Sequence, residues 1–280
     1  MKINAHAKIN LSLNVVRKRE DGYHELEMIM VPLTLCDTIM IEKAQEDRIT
    51  CDREDLACDD SNTMVKALKL MKQTYGITQN FRIHVEKHIP MQAGLAGGSA
   101  NAAAVMKGIN TLMNLNIPIA ELSMLSKQIG ADVPFCVYET PAVVKGIGEE
   151  VRPIEVHMDF EILLVKPPMG VPTGKAFSMI DFTTCEHPNV SVVEKALRQG
   201  DDTGFYCSLG NTLEQPAFEI VPQIKEIKQE LNNMGFDAVL MSGSGSTVFA
   251  ITKDHELVQR AAMFYEKTGY FVCKTHIKES

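Results

Sequence analysis

A glycine-rich loop is the segment of this sequence best suited to bind an anion. Residues 90–101 read Pro-Met-Gln-Ala-Gly-Leu-Ala-Gly-Gly-Ser-Ala-Asn and contain no acidic side chain. Glycines let a backbone approach a ligand closely, and the first N–H groups of a helix lack internal partners and favour negative charge. We therefore predict a phosphate-binding loop. An ordinary glycine-rich connection, with Ser99 capping the next helix, would have the same composition.

Two ionisable residues elsewhere could act on a group held by that loop. Asp132 follows a predicted helix end at Gly130 and precedes Pro134, so we expect an extended or turn conformation that aims its side chain. An aspartate is ionised at neutral pH and can accept a proton from an alcohol late in a phosphoryl transfer. Lys8 could neutralise charge that develops there. Taken alone, Asp132 could equally be a helix cap and Lys8 a solvent-facing strand residue.

Other nucleotide-binding motifs do not fit the chain. The segment 170–176, Gly-Val-Pro-Thr-Gly-Lys-Ala, approaches the G-x-x-x-x-G-K-[ST] phosphate loop but differs in spacing and in its last residue. The loop at residues 90–101 also differs from the G-x-G-x-x-G dinucleotide fingerprint.

Composition narrows the class of partner. The net charge of −8 and the absence of tryptophan argue against a nucleic-acid-binding protein, which usually carries a basic surface or stacking aromatic rings. Seven cysteines, an odd number without a C-x-x-C pair, indicate reduced thiols. We find neither a signal peptide nor an apolar run long enough for a membrane helix. These features predict a soluble, cytoplasmic protein without a membrane partner; they leave its oligomeric state open.

The elements that would position these residues mix helices and strands. Alternation over residues 3–15 predicts a half-buried strand whose polar face carries His6, Lys8, Asn10 and Ser12 in one row. Asn62 or Ser61 could cap a helix at 63–75. Further strands are predicted at 23–35 (interrupted at Pro32), 38–43, near 49, 81–89, two within 134–156, 160–165, 238–241, 247–251 and 271–275. Further helices are predicted at 102–113, 119–129, 192–196, 218–234 and 256–268.

The pattern is typical of an α+β fold, because helices and strands do not alternate strictly. The periodicity restarts near residue 156, so we predict two domains, at residues 1–155 and 156–280.

Several segments, taken together, resemble one enzyme superfamily. The Pro-x-x-x-Gly-Leu start of the loop and its Gly-Gly-Ser are similar to the ATP loop of the galactokinase, homoserine kinase, mevalonate kinase and phosphomevalonate kinase superfamily (GHMP kinases). Ala-Lys-Ile-Asn-Leu at 7–11 with Asp-Gly-Tyr-His at 21–24 resembles the opening of the 4-diphosphocytidyl-2-C-methyl-D-erythritol kinase family. Similar motifs follow at 130–135, 211–214 and 241–247, so the resemblance extends over most of the chain.

This resemblance implies an activity and a fold. It implies an ATP-dependent kinase that phosphorylates the 2-hydroxyl of a cytidine diphosphate-linked methylerythritol in non-mevalonate isoprenoid synthesis, with Mg²⁺ bound to the nucleotide. It also implies an N-terminal domain of the ribosomal-protein-S5-like type and a C-terminal ferredoxin-like domain, with the active site between them.

The resemblance also implies roles for individual residues. Lys8 and Asp132 would be catalytic, and Ser99 is the nearest hydroxyl for the metal. The ATP-binding residues would be Pro90, Met91, Gln92, Ala93, Gly94, Leu95, Ala96, Gly97, Gly98, Ser99 and Ala100. The substrate-binding residues would be Asn10, Tyr23, His24, Thr173, Phe177, Gly243, Ser244 and Gly245.

Two positions depart from the family's loop. Ala96 and Ala100 stand where a third glycine and a second serine are usual. Ala96 is compatible with the loop provided that its φ is negative, whereas the lost hydroxyl at Ala100 would remove a phosphate or magnesium contact. Two alternatives stay open: a kinase of this superfamily for another alcohol, such as mevalonate or homoserine, and a non-catalytic nucleotide or RNA binder.

Overall fold

The fold comes from a computed structural model that describes residues 1–279. Within that range, no helix has the length and apolar character needed to cross a bilayer. In chain order the elements are β1 (Lys2–Lys18), β2 (His24–Ala44), β3 (Arg48–Cys51), α1 (Thr63–Tyr75), β4 (Asn80–Glu86), α2 (Gly97–Leu112), α3 (Ile119–Ser126), α4 (Val133–Tyr138), β5 (Ala142–Gly146), β6 (Glu150–Pro153), β7 (Glu161–Lys166), α5 (Thr173–Ser178), α6 (Val190–Gln199), α7 (Asp202–Tyr206), β8 (Gly210–Asn211), α8 (Glu214–Ile220), α9 (Gln223–Met234), β9 (Ala238–Met241), β10 (Val248–Thr252), α10 (His255–Tyr265), a 3₁₀ turn (Glu266–Thr268) and β11 (Phe271–Thr275).

Two sheets organise the α+β fold. The larger has the order β3-β4-β2-β1-β8, with β5 beside β2 and β6 beside β5; the smaller has the order β11-β7-β10-β9. Their facing sides share one buried cluster, to which β1 contributes Ile9, β2 Val31, β7 Leu164 and β10 Phe249. Helix α2 packs against β1 and β2, whereas α9 and α10 pack against the smaller sheet. The mixed architecture agrees with the sequence prediction.

Strand β1 is present as predicted, but its polar residues are not one solvent-facing row. Register shifts after His6 and after Asn10 interrupt its pairing with β2. Such bulges turn successive side chains to new directions. Lys8, Asn10 and Ser12 are all buried, and only Lys8 and Asn10 border the cleft described below. The prediction of a half-buried strand was therefore wrong, because both faces of β1 are covered.

Strand β2 continues through Pro32, where the sequence predicted an interruption. The register shift after His6 lies opposite this proline, so its missing N–H falls at an irregularity of the β1–β2 ladder. The Pro32 carbonyl accepts a hydrogen bond from Lys278 N at 2.9 Å, and Thr34 N donates to His276 O at 2.9 Å. The end of the chain thus pairs with β2 where β1 diverges from it.

Helix predictions were confirmed where apolar spacing and a cap coincide. Helix α1 begins after Asn62, whose side chain accepts from Met64 N. Two predictions were wrong. Residues 133–138 form α4 instead of strand, because Pro134 occupies a first-turn position where its missing N–H costs nothing. The single helix predicted at 218–234 is split into α8 and α9 around Val221 and Pro222.

Strand β8 joins the two halves of the chain. Gly210 and Asn211 pair in parallel with Ser12 and Leu13 of β1, which places a segment from the second half at the edge of the first sheet. The domain boundary at residues 155 and 156 stays a prediction.

Candidate active site

A cleft of about 660 Å³ lies where the glycine loop, the start of α4 and the loop after β9 converge. The predicted residues on its wall are Lys8, Asn10, Asp132, Thr173, Phe177, Gly243, Ser244, Gly245 and every loop residue from Pro90 to Ser99. Three predicted residues lie elsewhere. Ala100 is buried in the core with α2, and Tyr23 and His24 lie outside this wall.

Lys8 and Asp132 form an ion pair on the wall of the cleft. The ammonium of Lys8 lies 3.8 Å from Oδ2 of Asp132, and it donates to Asn10 Oδ1 at 2.7 Å and to the Gly94 carbonyl at 3.1 Å. The Lys8 side chain is 4% exposed, so it is not a surface lysine. Asp132 is 36% exposed, and its carboxylate therefore remains open to a ligand.

Asp132 lies in a turn, as predicted, with φ −84° and ψ −10°, and a 3.2 Å hydrogen bond from Val133 N to Gly130 O closes that turn. It occupies the cap position of α4, yet its side chain makes no capping hydrogen bond. The capping alternative is therefore not what holds this carboxylate. The short helix fixes the backbone of Asp132 and leaves its side chain directed toward Lys8.

The glycine loop is held by backbone contacts to β1 and to the loop after β9. Lys8 N donates to Leu95 O at 3.1 Å, and Thr247 N donates to Ala93 O at 3.2 Å. Gly94 has a φ of +73°, and a Cβ built on it would lie 2.1 Å from the Ser242 carbonyl oxygen. A side chain at Gly94 would therefore separate the two loops, whereas glycine lets them touch.

Ala96 does not meet the condition under which it would suit the loop. Its φ is +56°, in the left-handed region, because the chain must reverse there to enter α2. This conformation costs an L-residue other than glycine about 1–2 kcal/mol. The negative φ under which an alanine would suit this position is therefore not present, so this chain carries local strain at the start of α2.

We expect Ala96→Gly to raise the free energy of unfolding by up to about 1 kcal/mol, because relief of the left-handed strain is partly offset by the greater freedom of glycine when unfolded. The matched control is Ala100→Gly, four residues on in α2, which should lower the free energy of unfolding by about 1 kcal/mol. Urea denaturation measures both. Equal destabilisation by the two changes would contradict the strain at Ala96.

Asn211, for which the sequence reasoning proposed no role, holds the loop after β9. Its side-chain amide donates to Met241 O and Gly243 O, both at 2.8 Å, and its Oδ1 accepts from Leu213 N at 2.9 Å. A Cβ on Gly243 would lie 3.3 Å from Lys8 Nζ, so this loop reaches the Lys8–Asp132 pair. Ser244 joins it to α5 through a 2.9 Å contact between its hydroxyl and that of Thr173.

One end of the site is aromatic. The ring of His24 lies 5.0 Å from that of Phe177 and 6.2 Å from that of Phe182, between centroids, and is nearly parallel to Phe182. Burial, and secondarily the nearby Lys18, lower the pKa of His24 below its ordinary value of 6.5. Tyr23 is 60% exposed beside it. This end offers flat apolar rings and a neutral imidazole, and the sequence reasoning had not included Phe182.

The opposite end of the cleft contains residues that the sequence reasoning missed. Leu56, Ala57, Asn62, Thr63 and Lys87 line it. The Thr63 hydroxyl donates to Gly98 O at 2.7 Å, which ties α1 to the start of α2. These residues come from an irregular loop and from helix and strand ends, where the sequence carries no local signal of a site.

The donor groups fit a metal that arrives with a nucleotide. Among residues 1–279, no group of three or more His, Cys, Asp or Glu side chains is placed to hold a metal ion. The Ser99 hydroxyl and the Asp132 carboxylate, both on the cleft wall, are hard oxygen donors of the type that Mg²⁺ prefers. Because Mg²⁺ keeps several waters and binds phosphate oxygens, few protein ligands suffice.

Comparisons with known proteins agree with this arrangement. The family described as GHMP kinases N terminal domain matches residues 62–140, and GHMP kinases C terminal matches residues 193–270. The 4-diphosphocytidyl-2-C-methyl-D-erythritol kinase of Listeria innocua is 41% identical over 260 residues, which is 92% of this chain and 89% of the relative. The enzyme of that name from Geobacillus kaustophilus is 40% identical over 263 residues, or 93% of this chain and 91% of the relative.

Solved structures lead to the same family. A crystal structure of 4-(cytidine 5'-diphospho)-2C-methyl-D-erythritol kinase has a TM-score of 0.84 and 30% identity, with both chains fully covered. The homoserine kinase of Cytophaga hutchinsonii has a TM-score of 0.77 at 17% identity, covering 99% of this chain and 94% of the other, and shows the shared fold alone. The chain therefore belongs to the GHMP kinases and, within them, to the 4-diphosphocytidyl-2-C-methyl-D-erythritol kinase family.

Proposed function

We propose that this chain transfers the γ-phosphate of ATP to the 2-hydroxyl of 4-diphosphocytidyl-2-C-methyl-D-erythritol, a reaction of non-mevalonate isoprenoid precursor synthesis. The observation that carries the proposal is the 3.8 Å ion pair between buried Lys8 and accessible Asp132, at the cleft wall formed by the glycine loop. The relatives named for this activity cover about nine-tenths of the chain. The cysteines form no disulfide among the described residues, and this fits a cytoplasmic location, where thiols are kept reduced.

The nucleotide would bind along the glycine loop. The first N–H groups of α2, at Gly97, Gly98 and Ser99, have no partners inside the helix and would donate to phosphate oxygens. The adenosine would lie at the end lined by Leu56 and Thr63, because that end adjoins the start of α2. The γ-phosphate would then point toward Lys8 and Asp132.

Phosphoryl transfer depends on positioning and on charge stabilisation more than on covalent help. Asp132 would accept the proton of the substrate hydroxyl late in the reaction, when the oxygen has become acidic. Lys8, held by Asn10 and the Gly94 carbonyl, would neutralise charge on the hydroxyl oxygen and the transferring group. When bound, Mg²⁺ would neutralise charge on the β- and γ-phosphate oxygens, with Ser99 and Asp132 as the available protein donors.

The cytidine end of the substrate would bind at the aromatic end of the site. His24, Tyr23 and Phe177 present faces on which a pyrimidine can stack, and neutral His24 can both donate to and accept from a cytosine edge. Thr173 and the backbone of the 243–245 loop would contact the middle of the substrate. An alcohol without a base would leave the aromatic rings unused, which favours this substrate over mevalonate or homoserine.

A steady-state assay of ADP release tests the proposal. Mg-ATP is supplied with 4-diphosphocytidyl-2-C-methyl-D-erythritol, mevalonate or homoserine in parallel. We expect turnover with the cytidylated alcohol alone. Turnover only with mevalonate or homoserine would assign a different GHMP activity, and intact ATP binding without turnover of any alcohol would assign a non-catalytic nucleotide binder.

The lowered pKa of His24 predicts a pH dependence of substrate affinity. Only the neutral imidazole can both donate to and accept from the cytosine edge. KM for the alcohol should therefore stay flat from about pH 8 to about pH 6.5 and rise at lower pH, as His24 becomes protonated. In His24→Gln the KM should be higher but should lack this rise, and KM for ATP serves as the internal control. A rise in KM for the alcohol at low pH that is as large in His24→Gln as in the wild type would contradict the role of His24.

A further inference from the structure

A buried charged cluster lies beneath the glycine loop, outside the pair that performs the chemistry. It consists of Asp37 of β2, Lys87 just after β4 and Asn101 of α2. Asp37 is fully buried, the Lys87 side chain is 4% exposed, and Asn101 is 2% exposed. Burying an ion pair is costly unless its polar groups find partners, so any group of this cluster that is left without one is informative.

Asp37 is the centre of the cluster. Its Oδ1 accepts from His88 N at 2.7 Å and from Ile89 N at 2.8 Å. Its Oδ2 accepts from Asn101 Nδ2 at 2.8 Å and from the Lys87 ammonium. One carboxylate thus fixes the segment that leads into the glycine loop, the helix that leaves it, and a cation.

The Lys87 ammonium uses two of its three N–H donors inside the cluster. One donates to Asp37 and a second donates to Asn101 Oδ1 at 3.0 Å. Lys87 also borders the cleft, and a Cβ built on Gly97 would lie 3.3 Å from its Nζ. The remaining donor therefore lies beside the first residue of α2, where the unpaired helix N–H groups already favour an anion.

We propose that Asp37 is a positioning residue for nucleotide binding: with Asn101 it holds the Lys87 ammonium against Gly97, where the free N–H donates to a phosphate of ATP. The inference rests on the proposed function, because it requires ATP to occupy the glycine loop. It gives the acidic chain a local cation for its anionic ligand, in addition to Lys8. It also explains why a lysine is buried at this point when its charge could be exposed to solvent.

Three variants separate this role from simple structural support. Asp37→Asn leaves two acceptor contacts to the His88 and Ile89 amides but places an amide donor against Lys87. The charge swap Asp37→Asn with Asn101→Asp returns a carboxylate to Lys87 from the other side and keeps one carboxylate and one amide in the cluster. The charge-free pair Asp37→Asn with Lys87→Met removes both charges and keeps the two backbone contacts.

The readouts are KM for ATP, KM for the alcohol substrate and the melting temperature. Asp37→Asn should raise KM for ATP by about tenfold or more, the effect of losing a hydrogen bond to a charged group, and leave KM for the alcohol within about twofold. The charge swap should bring KM for ATP back to within about threefold of the wild type. The charge-free pair should recover the melting temperature toward the wild type yet keep the raised KM for ATP.

The opposite pattern overturns the proposal. A charge-free pair that uses ATP as well as the wild type would show that Asp37 and Lys87 serve only the fold, and so would a folded charge swap that stays as weak as Asp37→Asn. If Asp37→Asn alone does not fold, the comparison of the two double variants decides. Calorimetric titration of the wild type with ATP distinguishes failure of the proposed function from failure of the inference about Asp37. Without ATP binding the proposed function falls and this inference with it, whereas normal binding with unaffected variants removes this inference alone.

Discussion

Asp132→Asn is expected to lower kcat by about 100-fold to 10,000-fold, the range for loss of a well-placed general base, while KM for ATP stays within about threefold of the wild type. Asparagine has the same shape but cannot accept the substrate proton. Because the Asp132 side chain makes no capping bond in α4, the change removes no hydrogen bond of the fold. Initial rates across both substrates, together with the melting temperature, measure these effects.

Glu155→Gln is the matched control for that experiment. Its side chain is 78% exposed and lies in the segment between β6 and β7, so an equivalent loss of one carboxylate should leave kcat unchanged. If Asp132→Asn retained kcat within about threefold, the assignment of Asp132 as the base would be wrong, and the ion pair with Lys8 would be structural.

Gly94→Ala is the second change with a large expected effect. The added Cβ would lie 2.1 Å from the Ser242 carbonyl oxygen and 3.1 Å from Gly245 N, and the residue would also have to hold a φ of +73°. Since both neighbours are backbone atoms, the glycine loop and the 242–245 loop must move apart. We expect the free energy of unfolding to fall by about 1–3 kcal/mol and kcat/KM to fall by at least about tenfold.

The loss of activity would come from displacement of Lys8. The Gly94 carbonyl accepts from the Lys8 ammonium and from the Ser242 hydroxyl, so moving it disturbs both groups. Gly174→Ala is the control for stability, because a Cβ at Gly174 has no neighbour within 4 Å and its φ is not in the left-handed region. Urea denaturation of the two alanine variants compares them directly. Equal stability of both would contradict the close contact between the loops.

Local signals in the sequence predicted the elements well where they agree with each other. The apolar spacing of Met64, Ala67, Leu68 and Met71, together with the Asn62 cap, predicted α1 with its observed bounds. The alternation in residues 3–15 likewise predicted β1, and the glycines at 94, 97 and 98 marked the loop between a strand and a helix. These features depend on neighbours in sequence, which is why they can be read without the fold.

Features that depend on distant contacts could not be predicted in this way. The bulges of β1, which bring Lys8 and Asn10 to the cleft but not Ser12, arise from its pairing with β2. The positive φ of Ala96 follows from the path of the chain into α2. The Asp37 cluster joins Asp37 to Lys87 and Asn101, which lie 50 and 64 positions further along the chain, and no spacing rule points to it.

The site residues illustrate the same division. Family resemblance selected Lys8 and Asp132, which lie far apart in sequence, and the fold places them 3.8 Å apart. It also selected Ala100 as part of the ATP loop, yet that residue lies in the core because α2 has already begun at Gly97. Lys87 and Phe182 carry no motif of their own, so only the folded chain shows that they adjoin the site.

The measurement that tests the central claim most directly is proton-coupled ³¹P NMR of the reaction with Mg-ATP and 4-diphosphocytidyl-2-C-methyl-D-erythritol. The carbon that bears the 2-hydroxyl also bears the methyl group and carries no hydrogen. A phosphate transferred to that oxygen should therefore give a new phosphomonoester singlet that grows as ADP forms. A phosphomonoester doublet or triplet would place the phosphate on a carbon that bears hydrogen, and ADP accompanied only by inorganic phosphate would show hydrolysis; either result would contradict the proposed reaction.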